Sequence, residues 1–261
     1  TEKFEKKISY YVNSKYACVV NSATSGLYLA CKILNLNKND WVWTSCNTFV
    51  STASIIEHAN GNVDLLDINE DGNLSIDYLK KKLQKTKKTH LPKAIIAVHI
   101  AGLPCDMQEL YKLKKKYKFK IIEDAAEMHG QKYYNKPCGA FGEISTFSLY
   151  SNKFISCGEG GAICTNSRKI YSRVNELRNL SFGSQKRFSH KEISYNARMT
   201  NLQAAVAYAQ IFNLSKIVKK KYQIANYYNK FLSRCKFLEI LPNKNKYSKN
   251  IYWVYGILVL K

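Results

Sequence analysis

Thr146-Phe147-Ser148-Leu149-Tyr150-Ser151-Asn152-Lys153-Phe154-Ile155-Ser156-Cys157-Gly158-Glu159-Gly160-Gly161 sets one lysine between an apolar run and a cluster of glycines. Residues 144–149 read as a short buried strand, and Gly158, Gly160 and Gly161 let the backbone turn tightly just past Lys153. A lysine taken alone is by default a surface residue. An amine held at a strand end under such a turn loses water, which moves it toward the free, nucleophilic form.

Working outward, Phe119-Lys120-Ile121-Ile122-Glu123-Asp124-Ala125-Ala126-Glu127-Met128-His129-Gly130 is a second buried-type strand, ending in an acid pair. At the C-terminal end of such a strand, Asp124 faces the crevice in which open α/β sheets bind ligands. A lysine and a carboxylate converging there form the pair that pyridoxal phosphate (PLP) requires. The amine holds the aldehyde, and the acid keeps the pyridine nitrogen protonated.

The rest of the chain repeats the same grammar. Strands are expected over residues 17–20, 41–44, 62–67, 94–99 and 162–165, alternating with helices over 1–16, 48–59, 75–83, 107–117 and 167–179. That alternation predicts an α/β fold, a three-layer α-β-α arrangement with a mostly parallel central sheet. Residues 181–194 read as a polar loop, and a long helix bent near Leu214-Ser215 is expected over 201–232. Residues 1–232 are then a large cofactor-binding domain, and 233–261 the start of a small C-terminal α+β domain. The apolar run at 251–260 reads as a strand with nothing after it to pair against, so that domain is expected to be truncated.

Composition narrows the partners. The formal charge is +22, yet only six of the 41 basic residues are arginine. Lysines such as Lys80, Lys81 and Lys82 read as a solvated face, base readout favours arginine, and no nucleic-acid-binding motif is present. No specific nucleic-acid partner is therefore expected, whereas an anionic substrate suits the positive field. The eight cysteines form no C-x-x-C pair and no metal-type cluster with the five histidines. The first residues are charged and the final apolar run is too short to span a bilayer, so a cytoplasmic protein without a membrane partner is expected.

With Asn21-Ser22-Ala23-Thr24-Ser25-Gly26-Leu27 upstream and Tyr195-Asn196-Ala197-Arg198-Met199 downstream, the two central stretches resemble, in order, the sugar-nucleotide aminotransferases of the DegT/DnrJ/StrS family. Those are fold-type I PLP enzymes of the aspartate-aminotransferase type. The resemblance implies catalytic roles for Lys153 and Asp124. It implies that Thr24, Ser25 and Ser148 hold the cofactor phosphate, that Phe49 stacks on the pyridine and that Glu127 lies beside the phenolic oxygen. It also implies that Asn196 reaches the cofactor phosphate of a neighbouring subunit, hence a homodimer with shared sites. Read without the family, Thr24 and Ser25 are an ordinary helix start, Phe49 is core and Asn196 is a cap. Ala23 departs from the glycine common in relatives.

The implied reaction is transamination of a nucleotide-linked keto-sugar, with an amino acid such as glutamate as donor. The Tyr252-Trp253-Val254-Tyr255-Gly256 run resembles the perosamine-synthase subgroup, which points to a 4-keto-6-deoxyhexose. Two alternatives stand beside it. Related sugar 3-dehydratases carry histidine at the position of Lys153, and a non-catalytic regulator that retains the fold would have no use for the lysine–aspartate pair.

Overall fold

The computed structural model describes residues 1–182, 188–190 and 192–260. Seven strands form one sheet, in the order Tyr16–Val20, Gly161–Thr165, Ile144–Ser148, Lys120–Asp124, Pro92–Val98, Trp41–Ser45 and Asn62–Leu66. Gly161–Thr165 runs antiparallel to both of its neighbours, and the other four pairings are parallel. The strands read as apolar runs because helices cover both faces. In Ile144–Ser148 and Gly161–Thr165 every residue is buried.

Alternate strand residues feed two cores. Ile95 and Ile121 pack with apolar residues of the helices Glu2–Val12, Ile76–Lys85, Met107–Tyr117 and Asn201–Ile211. Ile96 and Ile122 pack with those of Ala23–Ile33, Val50–His58 and Arg168–Leu177 on the opposite face. This is the three-layer α/β arrangement expected from the sequence. Each fully buried leucine or isoleucine contributes roughly 1.5–3 kcal/mol, so no single contact holds the layers together.

Local chemistry sets the ends of the elements. Asn13 adopts a left-handed conformation (φ 57°) and stops the first helix at Val12, short of the expected residue 16. Asp106 caps Met107–Tyr117 by accepting the Glu109 N–H at 3.1 Å. The long helix divides at Phe212-Asn213 into Asn201–Ile211 and Leu214–Leu232, slightly before the expected bend. Of the polar loop expected over residues 181–194, residues 183–187 and 191 lie outside the described residues.

The strand expected over 251–260 is a correction. Only Ile257–Val259 is extended, and it has a partner earlier in the chain, pairing antiparallel with Leu238–Ile240. Upstream of it the backbone is bent by Tyr252 (φ 53°), and Asn250 Oδ1 accepts the Tyr252 N–H at 2.7 Å. Ile251 and Tyr252 are buried against the main body, which accounts for a strand-like apolar pattern without a strand.

The parallel strands all end on one edge of the sheet, at Ser45, Leu66, Val98, Asp124 and Ser148, and the reversed strand begins there at Gly161. Loops and helix N-termini at that edge carry the polar side chains. Among the described residues, no helix is long and apolar enough to cross a membrane.

Candidate active site

The lysine is placed by the connection between two adjacent strands. Leu149 N–H donates to Gly160 O (2.9 Å) and Cys157 N–H to Leu149 O (3.0 Å), which extends the ladder past Ser148. Within that frame Lys153 N–H closes a turn onto Tyr150 O at 2.9 Å. The far side of the loop is tied to the helix Asn201–Ile211: Gln210 Oε1 accepts the Ser156 N–H at 3.1 Å, and Gln203 Nε2 donates to Glu159 O at 3.0 Å. Gly161 permits the closest approach, because a Cβ there would lie 2.6 Å from Ser22 C and 2.7 Å from Ala23 N. No residue other than glycine brings this strand so near the Ser22 turn.

Lys153 Nζ points into a cavity of about 510 Å³, within the range of small-molecule sites. The side chain is 10% exposed and its amine stands 3.8 Å from Glu127 Oε1. Burial lowers the pKa of the amine, against the opposing pull of the Glu127 and Asp124 carboxylates.

Asp124 is buried at the same cavity, with Oδ2 accepting the Thr52 hydroxyl at 2.9 Å and Oδ1 the Ala126 N–H at 3.1 Å. Burial raises its pKa, and those two hydrogen bonds pull it back. Glu127 is pushed up to about 7 by burial, opposed by the Lys153 ammonium and by the Ala101 N–H that its Oε2 accepts at 2.7 Å.

Two buried histidines brace the strand ends. His129 is pushed down to about 4 by burial, and its Nε2–H donates to Ser148 O at 2.7 Å. His99 Nδ1 accepts the Cys105 N–H at 3.0 Å, so its proton sits on Nε2. That nitrogen faces Glu123 Oε1 at 3.6 Å, just beyond hydrogen-bond reach.

The N-terminus of Ala23–Ile33 supplies the anion-binding corner. Ser22 caps it, accepting the Ser25 N–H at 3.1 Å, and Ser22, Ala23 and Thr24 line the cavity. The remaining N–H groups and the dipole of this end favour a negative group such as a phosphate. Phe49, at the start of Val50–His58, lines the cavity and is 73% exposed as a residue, so an aromatic side chain is available there.

Six of the residues singled out in the sequence therefore meet in one cavity: Thr24, Phe49, Asp124, Glu127, Ser148 and Lys153. Ser25 does not line it, and its hydroxyl is engaged with Ser22 Oγ at 3.0 Å. Asn196 stands apart on an exposed bridge to Asn179, its Oδ1 accepting the Arg198 N–H at 3.2 Å. Sequence reasoning missed Thr52 and gave Trp253 no place in the site. The only signal for Thr52 is a second threonine four residues earlier, Thr48, just before the helix, whose hydroxyl donates to Thr52 Oγ1 at 3.0 Å.

An amine, a buried carboxylate, a helix N-terminus with hydroxyls and an exposed aromatic ring, all within one cavity, fit PLP, with Lys153, Asp124, Thr24, Ser148 and Phe49 as the residues to hold it.

Comparison with known proteins gives the same direction. The model of the DegT/DnrJ/EryC1/StrS aminotransferase family matches residues 1–261. The GDP-perosamine synthase of Escherichia coli O157:H7 is 34% identical over 261 residues, covering 98% of this chain and 69% of the relative. That of Vibrio cholerae is 36% identical over 259 residues, covering 99% and 69%. Among solved structures, Helicobacter pylori PseC, an aminotransferase involved in the biosynthesis of pseudoaminic acid, superposes with a TM-score of 0.90 at 26% identity, over 98% of this chain and 68% of that one.

Proposed function

We propose that this chain, which belongs to the DegT/DnrJ/EryC1/StrS aminotransferase family, aminates a nucleotide-linked 4-keto-6-deoxyhexose at a site built around Lys153 and Asp124. It is a PLP-dependent sugar aminotransferase of amino-sugar biosynthesis. The sharper substrate rests on two curated relatives named GDP-perosamine synthase. Glutamate is the amino donor in this reading.

PLP, when bound, supplies the aldehyde that takes up the donor's amino group and the ring that withdraws electrons from the reacting carbon. Lys153 Nζ would carry the cofactor between turnovers. Once released, the same amine accepts and returns the proton at the reacting carbon, and its partial desolvation suits it to that exchange. Asp124, held by Thr52 and the Ala126 N–H, would pair with the ring nitrogen and keep it protonated. The Ser22–Thr24 turn and Ser148, which line the cavity, would anchor the phosphate, and Phe49 would cover one face of the ring. Glu127 sits 3.8 Å from the lysine and would lie beside the cofactor's phenolic oxygen.

The reading includes a homodimer in which Asn196 reaches the partner's site. Ile193, Tyr195 and Leu202 support it: all three lie within six positions of Asn196 in the chain and are 89, 60 and 82% exposed, apolar side chains that a second subunit would cover. It also includes a large domain over residues 1–232, a smaller one beginning at 233 with its own two-stranded sheet, and a cytoplasmic location suited to eight unpaired cysteines.

The observation that carries the proposal is the convergence of Lys153 and Asp124 on one cavity from strands that are neighbours in the sheet. Its test is borohydride reduction of the PLP-loaded protein followed by peptide mapping. The label is expected on Lys153, with amino transfer from glutamate lost in Lys153→Ala. A label on another lysine, or full transfer in that variant, refutes the assignment. A sugar 3-dehydratase would instead consume the keto-sugar without incorporating nitrogen, and Lys153 argues against it.

A further inference from the structure

Trp253 reaches the cavity from outside the sheet. Its segment is fixed by separate bonds: Ile251 N–H donates to Gly102 O at 3.2 Å, and Lys221 Nζ donates to the Trp253 carbonyl at 2.9 Å. The indole Nε1–H donates to Asn152 O at 3.3 Å, the carbonyl immediately before the lysine. The ring face is turned to Lys153, whose Nζ lies 3.6 Å from the ring centroid. With only 10% of the side chain exposed and Glu127 Oε1 at 3.8 Å, this ammonium is short of both water and a hydrogen-bonded carboxylate. That is the setting in which an aromatic face contributes most, and indole is the strongest of the aromatic faces.

We propose that Trp253 is a positioning residue for Lys153: its indole face seats the amine in the cofactor-free protein and governs how readily it becomes a free nucleophile, while its N–H steadies the loop that carries the lysine. The inference rests on the reading of Lys153 as the cofactor's anchor.

The other charged or titratable groups around the amine are identifiable. Asp124 and Glu127 lie at and just beyond the end of Lys120–Asp124, and His129 follows in the same turn. His99 follows Pro92–Val98, Glu159 sits in the glycine loop, and Lys221 on Leu214–Leu232 holds the Trp253 carbonyl. Burial pulls the amine toward the neutral form and the two carboxylates oppose it. The indole adds to the opposing side, so removing it favours the neutral amine further. Opening the cavity to water acts in the other direction, because hydration favours the ammonium. The sign of the response therefore separates a direct contact from a structural role.

The experiment is acetic anhydride labelling of the cofactor-free full chain as a function of pH, with the Lys153 peptide quantified by mass spectrometry. In Trp253→Leu the midpoint of Lys153 labelling is expected to fall by roughly half to one pH unit, the scale of a partly desolvated cation–π contact. Trp253→Phe keeps a weaker face and most of the volume, and its midpoint should fall by less. An unchanged or raised midpoint in folded Trp253→Leu overturns the proposal. If that variant does not fold, Trp253→Phe decides alone, and the absence of any fall overturns it. The labelling reads the amine without cofactor, so a failure of PLP to attach at Lys153 would refute the functional reading and leave this midpoint standing.

Discussion

Replacing Thr52 by valine removes one hydroxyl and almost no volume from the wall behind Asp124. Thr52 is fully buried and donates to Asp124 Oδ2 at 2.9 Å. A hydrogen bond to a charged acceptor contributes roughly 1.5–3 kcal/mol, and a buried carboxylate that loses one has no water to replace it. Asp124 already titrates above the usual aspartate range because of burial, with the Thr52 bond among the groups pulling it back. Thr52→Val therefore raises it further.

The sign follows from linkage. A carboxyl raised in the folded state contributes stability below its unfolded pKa, and that contribution is lost as pH rises through the folded value. The variant should thus be less stable than the parent by about 1.5–3 kcal/mol at neutral pH, with the gap narrowing as pH falls and Asp124 takes up its proton. Urea unfolding of the cofactor-free chain at a series of pH values measures this directly. A gap that stays constant with pH, or that lies under about 0.5 kcal/mol at neutral pH, would refute the assignment of this bond to an ionised Asp124.

Glu127→Gln should gain stability relative to the parent as pH rises from about 5 to about 8, by up to about 3 kcal/mol at 1.36 kcal/mol per unit. The parent's Glu127 is raised from 4.5 to about 7 and must ionise across that window; parallel unfolding curves check it. Gly161→Ala places a Cβ 2.6–2.7 Å from the backbone of Ser22 and Ala23, which cannot rotate aside. It should destabilise by roughly 1–3 kcal/mol and weaken PLP binding severalfold, measured by thermal unfolding and by titration. Glu5→Ala leaves Arg178 Nη1, which Glu5 Oε1 meets at 2.7 Å, without its carboxylate and frees the Val19 N–H held at 2.9 Å. A loss of roughly 3 kcal/mol is expected in urea unfolding, as for a largely buried pair broken on one side.

The architecture was legible because layers impose patterns. Strands covered on both faces must be apolar throughout, and the helices between them must show one apolar stripe, so Ile121-Ile122 and Ile95-Ile96 announce a sheet filled from both sides. The direction of Gly161–Thr165 was not legible, since an apolar five-residue strand carries no mark of whether its neighbours run with it or against it. The run at 251–260 misled for a related reason: Ile251 and Tyr252 are apolar because they pack on the main body, and the pattern does not say against what. In the site, Lys153 and Asp124 were readable from glycine placement and strand ends. Trp253 and Thr52 were not, because they meet Lys153 and Asp124 across 100 and 72 positions of chain. Nothing local to either residue encodes that meeting.

The loop bearing Lys153 leaves the sheet at Ser148 and re-enters the adjacent position at Gly161, so both of its ends are hydrogen-bonded to the same rigid body. The tryptophan opposite arrives on a loop stretch held by scattered bonds, among them those at Gly102, Asn152 and Lys221, and by the burial of Ile251 and Tyr252, ahead of a strand whose residues are exposed. The two walls of the cavity therefore differ in compliance. Local opening is expected first on the tryptophan side, where loop and side-chain contacts rather than a strand ladder hold the wall, while the lysine stays in register with Asp124. Such a cavity can exchange its contents by yielding on one side alone, with the sheet and the lysine loop left in place.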